Sequence, residues 1–184
     1  MSSERAVFLD TKVFKWPRLS TLKILDLQTH FKPTETFQYT DFSSCHPFNF
    51  KKGFIKGEAL SLLRTNSVKE IFENNKRDFE QRLCKRGYPL TLVKKILTEV
   101  KFINRKEALR NRTKQTKEIL PFVTTYNPAL PNLKKILMKH WHNIQQQPKL
   151  KRIFNQPPIV SYKKEKSLKD ILVRAKLPSI TQQS

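Results

Sequence analysis

The sequence predicts an α+β fold, mainly α, with an N-terminal β-hairpin, a three-helix bundle and a small C-terminal β-α-β-α module. Three observations lead there. Two segments before Lys32 are rich in strand-forming residues and are separated by a Pro-containing turn. Between Ser43 and Asn104 apolar residues recur at helical spacing three times in succession, each stripe opposed by Lys and Arg. After Glu118, strand and helix patterns alternate.

Ala6 to Lys15 reads as a first strand, W-P-R-L-S-T as a turn, and Leu22 to Phe31 as a second strand that alternates well. A lone hairpin is marginal in water, so this one calls for a larger sheet or a helix to lie on. Lys32 to Phe54 has no regular period but holds Phe37, Tyr39, Phe42, His46, Phe48, Phe50 and Phe54. Aromatics interleaved with Lys51 and Lys52 suit stacking on bases with ammonium groups on phosphates, while the plainer role for most is to anchor the loop on the helices.

Ala59, Leu60, Leu62 and Leu63 mark a short first helix. Ser67 with Glu70 forms a capping-box pattern for a second, carrying Val68, Ile71, Phe72, Phe79 and Leu83. Gly87 supplies the left-handed residue that ends it. Pro89 suits the first turn of a third helix, with Val93, Ile96, Leu97 and Val100 as its stripe. Three short helices with a Gly-containing turn have the form of a helix-turn-helix unit. The plainer alternative is an ordinary three-helix core with solvated charges.

Lys101 to Glu118 is basic, and from Asn111 it lacks an apolar stripe and reads as a linker. Then come a strand over Ile119–Tyr126 and a helix over Leu133–Ile144 with Leu133, Ile136, Leu137, Trp141 and Ile144 on one face. A short helical turn from Pro148 to Phe154, a strand over Ile159–Tyr162 and a last helix over Leu168–Lys176, capped by Ser167 and Asp170, complete the order. The two strands are expected to pair in parallel. The expected domains are 1–42, 43–105, the linker 106–118 and 119–184.

The formal net charge of +22 is unevenly spread. Residues 1–50 have six basic and five acidic side chains, 51–120 nineteen and eight, and 121–184 twelve and two. Such an excess is the footprint of a phosphate-rich partner. A membrane surface is the competing polyanion, but no helix pairs a large aromatic face with a Lys-rich one. Met1 to Asp10 lacks a signal-peptide pattern, and no apolar run approaches the roughly 20 residues of a membrane span. The expectation is an intracellular chain, nuclear or cytoplasmic, that is not secreted.

Catalytic patterns are missing. Cys45–His46 and His140-x-His142 do not reach a zinc cluster, because side chains two apart on a helix point about 200° apart. No G-x-S-x-G is present, and three glycines exclude the usual phosphate-cradling loops. Tyr39-Thr40-Asp41-Phe42 lacks the second carboxylate of a polymerase metal pair. No enzyme activity and no cofactor are expected.

The motifs F-L-D (Phe8–Asp10), I-L-D-L-Q-T-H-F-K-P-T-E-T-F-Q-Y (Ile24–Tyr39), S-S-C-H-P (Ser43–Pro47) and E-A-L-S-L-L-R-T-N-S (Glu58–Ser67) come in a telling order. They continue with R-G-Y-P (Arg86–Pro89), F-V-T-T-Y-N-P-A-L-P-N-L-K-K-I-L (Phe122–Leu137), H-W-H (His140–His142), P-P-I-V-S-Y (Pro157–Tyr162) and L-V-R-A-K-L (Leu172–Leu177). In this order they resemble Penelope-like retroelement reverse transcriptases, over nearly the whole chain. The three-helix region also resembles the animal helix-turn-helix domain. The resemblance implies a hairpin from the end of the palm, near the primer grip, a thumb bundle that holds template and primer, and a connector. The palm carboxylates and the GIY-YIG endonuclease of that family have no counterpart in the sequence.

The implied partner is a nucleic acid, an RNA–DNA hybrid or duplex held without sequence reading. The candidate phosphate contacts are Lys51, Lys52 and Lys56 at the start of the first helix and Arg64 at its end. Arg82, Lys85 and Arg86 precede the turn, and Lys94, Lys95 and Lys101 are placed on the third helix, with Lys94 and Lys101 seven apart on one face. The competing readings are a free-standing sequence-specific helix-turn-helix protein, a fragment active only together with an intact palm, and a retroelement gene fragment without function.

Overall fold

Short strands bounded by turn residues form the N-terminal sheet. The computed structural model describes residues 5–110, 120–154 and 156–163. Strands β1 (Arg5–Phe8), β2 (Thr11–Phe14) and β3 (Asp26–Thr29) form an antiparallel sheet in that order, with Val7 opposite Lys12 and Val13 opposite Leu27. The single strand expected over Ala6–Lys15 is therefore two. The chain reverses at Leu9, whose φ is 53°, and the Thr11 hydroxyl closes the turn on the Phe8 carbonyl at 2.8 Å. The second expected strand is also shorter. Helix α1 (Arg18–Leu22) forms in the expected turn, overlaps the expected strand at Leu22 alone, and ends on left-handed Lys23, φ 55°.

Helices α2 (Phe48–Thr65), α3 (Lys69–Lys85) and α4 (Leu90–Glu99) form the bundle. Its core is Ile55, Ala59, Leu62 and Leu63 from α2, Phe72, Phe79 and Leu83 from α3, and Val93, Ile96 and Leu97 from α4, with Tyr88 and Val100. The third stripe is buried as expected. Helix α2 begins eleven residues before Ala59, a start the apolar pattern does not mark, since Lys51 occupies the inward position one turn before Ile55. Helix α3 ends on a Schellman arrangement. Gly87 has φ 77°, its N–H reaches the Cys84 carbonyl at 3.0 Å, and the Tyr88 N–H reaches that of Leu83 at 3.2 Å. Pro89 is the N-cap of α4 rather than a residue of its first turn.

The capping box at Ser67 does not form. The N-cap of α3 is Val68, with no side-chain cap, because Ser67 is used elsewhere. Its hydroxyl donates to Asp26 Oδ1 at 2.6 Å and accepts the Leu27 N–H at 2.8 Å, while its own N–H meets the Leu27 carbonyl at 2.9 Å. Asn66, fully buried, accepts the Thr29 N–H at 3.0 Å and donates to Thr29 Oγ1 and to the Leu62 carbonyl, both at 2.8 Å. Asn75 donates to Asn66 Oδ1 at 3.1 Å. The Arg18 guanidinium holds both oxygens of buried Asp26. The α2–α3 junction thus lies along β3 almost as a further strand.

After α4 the chain does not continue as helix. Val100 is extended, and a 3-10 turn (Phe102–Asn104) leads into α5 (Arg105–Ala108). Arg105 folds back to cap α2, donating to the carbonyls of Leu63 at 3.1 Å and Arg64 at 3.0 Å.

The chain divides into two units, Met1–Gln115 and Thr116–Ser184. In the second, β4 (Pro121–Thr125) pairs in parallel with β5 (Ile159–Lys163), as expected. Helices α6 (Leu133–Gln146) and α7 (Pro148–Ile153) form the crossover. Asn132 caps α6 by accepting the Lys135 N–H at 3.2 Å. No residue of α6 is fully buried, so this unit has a thin core. The helix expected over Leu168–Lys176, with its Ser167–Asp170 cap, lies outside the described residues. Among the described residues no helix is long and apolar enough to cross a membrane.

Two substitutions test this account by urea unfolding. Asn66→Ala strands buried partners on β3 and lowers stability by about 1–3 kcal/mol. Tyr88 carries the one buried side-chain polar atom without a partner among the described residues, its hydroxyl. Tyr88→Phe therefore leaves stability unchanged or raises it by up to about 1 kcal/mol.

Candidate nucleic-acid interface

The ten basic residues expected to meet phosphates have different fates, decided by what the fold places beside them. Two are used internally. Lys51 is only 8% exposed and donates to the carbonyls of Phe42 and, at 2.8 Å, Ser44, with its ammonium 5.0 Å from the Phe42 ring centre. It pins the aromatic loop onto α2 and is corrected from phosphate contact to anchor. The Arg82 guanidinium carbon lies 3.4 Å from the Phe37 ring centre and 5.2 Å from that of Phe31. It too is an anchor, clamped on aromatic faces.

Others reach the surface but are engaged. Lys56 pairs with Glu99 across α2 and α4 at 2.8 Å, and this bond, with Lys95 adding to it, holds the Glu99 carboxyl below the usual carboxylate range. The Lys52 ammonium lies 4.6 Å from the centre of the Phe48 ring. Arg64 donates to the Ala108 carbonyl at 2.9 Å. Arg86 is half-buried beside Asp41, whose carboxyl is held low by the Ser43 hydroxyl and N–H, then by Arg86 and Lys51. Lys101 lies beyond the end of α4, so the seven-residue spacing from Lys94 does not put the two on one helix face. Instead Lys101, Arg64 and Arg110 line an open groove of about 560 Å³ that also carries Glu99 and Glu107.

Lys85, Lys94 and Lys95 remain exposed, the last two on the solvent side of α4. With Val93, Ile96 and Leu97 buried, helical geometry turns Thr91, Lys94, Lys95 and Thr98 outward together. The two threonines were not among the expected contacts, although their spacing from the apolar stripe already places them on the outer face. The arrangement α3, Schellman turn, α4 presents that face as the second helix of a helix-turn-helix.

Residues 38–98 match the model of the animal helix-turn-helix domain. No curated protein and no solved structure matches the chain. The matched stretch contains most of the aromatic loop and all of α2 and α3, and it ends one residue before the end of α4. Lys51, Lys52, Lys56, Arg64, Arg82, Lys85, Arg86, Lys94 and Lys95 fall inside the matched stretch, and Lys101 outside it.

The loop that Lys51 and Arg82 secure closes with a ring network. Tyr39 lies 5.3 Å from Phe79 and 5.6 Å from Phe54, and Phe42 lies 5.1 Å from Tyr88. Beside it, burial pushes the Glu58 carboxyl up, and Glu35 adds to the shift. Among the described residues no group of three or more His, Cys, Asp and Glu side chains could hold a metal ion.

A folded carboxyl raised above its unfolded value contributes stability that is complete below the ordinary Glu range and is lost as pH rises through the raised value. Glu58→Gln removes that loss. Thermal melts at a series of pH values should show the variant gaining on the wild type as pH rises above the ordinary Glu range.

Proposed function

We propose that the helix-turn-helix domain holds the sugar-phosphate backbone of a duplex or RNA–DNA hybrid without reading its sequence. The observation that carries this reading is the outer face of α4. It presents Thr91, Lys94, Lys95 and Thr98, hydroxyls and ammonium groups suited to phosphate oxygens. The exposed positions of α4 include no Asn, Gln or Arg, the side chains that read base edges bidentately. Lys85 at the end of α3 and Lys52 on α2 are also exposed. In this reading the chain grips and does not catalyse, as the thumb and connector of a Penelope-like reverse transcriptase would. The order of sequence motifs supports that origin, and the network between β3 and α2 supports a sheet and thumb that move as one piece.

The helix-turn-helix match also favours a second reading, a free-standing DNA-binding protein that selects a sequence. Competition with unrelated DNA separates the two, since a backbone holder is displaced equally by any duplex.

Fluorescence anisotropy against a labelled duplex tests the main reading. Affinity should fall steeply with salt. The variant Lys94→Ala/Lys95→Ala should weaken binding and lower the slope of log K against log salt by about 0.9 for each phosphate contact removed. If the wild-type chain fails to bind a duplex or a hybrid at low salt, the proposal is wrong.

A further inference from the structure

Parallel strands are covered on both faces, as a rule by helices. The β4–β5 pair of the second unit departs from this. A β-α-β crossover lays its helices on one face of the strands it joins. Residues opposite in a parallel register share a face, so Pro121, Val123 and Thr125 lie with Ile159, Ser161 and Lys163. Val123 at 58% and Ile159 at 52% are the most exposed apolar side chains of the two strands, and they mark the open face. We propose that this face seats an acidic amphipathic helix of a partner protein, with the apolar stripe of that helix on Val123 and Ile159. The inference concerns the second unit and does not depend on the backbone-holding reading of the first.

Charge selects the occupant. From Ile119 to Lys164 the sequence has eight Lys and Arg and no Asp or Glu. Whichever side chains of this stretch border the open face, none brings a carboxylate to it. Lys163 lies on the face itself, opposite Thr125. Residues 165–184 add four Lys and Arg against two acidic residues, and a second copy of the chain repeats its excess of +22. The carboxylates that neutralise this surface therefore come from another molecule.

The chemistry of the face argues against the other polyanions. Val123 and Ile159 are aliphatic and offer a base no ring to stack on. Lipid tails would cover them, but among the described residues no third strand pairs with β4 or β5. The outer backbone N–H and C=O groups of such a pair are not tolerated in hydrocarbon. A helix with Asp and Glu flanking an apolar stripe meets both demands.

Fluorescence anisotropy of the full chain tests this with a labelled amphipathic helical peptide, Leu on one face and Glu on the other. The wild type should bind it, and should bind the same peptide with Gln for Glu about 5-fold or more weakly. Val123→Ser/Ile159→Ser should weaken binding of the Leu/Glu peptide by about 10-fold or more and leave duplex binding unchanged. Lys163→Glu, which leaves the apolar face intact, should weaken it by about 2- to 5-fold. A wild-type chain that does not bind the Leu/Glu peptide overturns the proposal, as does equal affinity for the Gln peptide. So does a serine variant that binds as tightly as the wild type. If the serine substitutions instead weaken binding to a duplex or to phosphatidylserine vesicles, or abolish a wild-type dimer seen in sedimentation, the face has another occupant and the proposal is overturned. A wild-type chain that takes the peptide but no duplex ends only the backbone-holding reading.

Discussion

Asp26 and Asn66 are both fully buried, and everything in the first unit depends on their being met in one arrangement. Asn66 faces Thr29, Leu62 and Asn75, while Asp26 faces Arg18 and Ser67. A half-satisfied polar network is costlier than an apolar contact, so a slip of β3 against the α2–α3 junction is penalised at several groups at once. Apolar packing alone tolerates small shifts. This seam does not, and it fixes where α2 ends and α3 begins. From there the core residues Phe72, Phe79 and Leu83 and the Schellman turn at Gly87 set the placement of α4.

The basic residues divide along the same lines. Arg18, Lys51, Arg82 and Arg105 are consumed by the fold, on a carboxylate, on carbonyls and on aromatic rings. Lys51 and Arg105 supply donors to carbonyls that a loop and a helix end leave open. Lys85, Lys94 and Lys95 have no such task among the described contacts and face solvent. The long-range field of the chain therefore comes from a large excess charge, but local recognition comes from a smaller set chosen by geometry.

Much of the bundle was legible in the sequence. Val93, Ile96, Leu97 and Val100 at helical spacing gave the buried face of α4, and Gly87 gave its preceding turn, since both signals are local. The parallel β4–β5 pairing was legible for a similar reason, an alternation of strand and helix patterns. Hidden were the start of α2 and the turn at Leu9. Lys51 occupies an inward position with a charged side chain, and Leu9 adopts a left-handed backbone that residues other than glycine seldom take. Neither follows from composition or period.

Ser67 shows where local reasoning ends. Three residues before Glu70 it has the pattern of a helix cap, yet its hydroxyl is drawn to Asp26 and Leu27, some forty positions away. The basic surface divides in the same way. Sequence alone determined that the chain is strongly cationic and where its helices carry Lys and Arg. Which of those cations are spent inside and which face a partner was decided by tertiary structure, because only folding brings Phe37 beneath Arg82 and the Ser44 carbonyl within reach of Lys51.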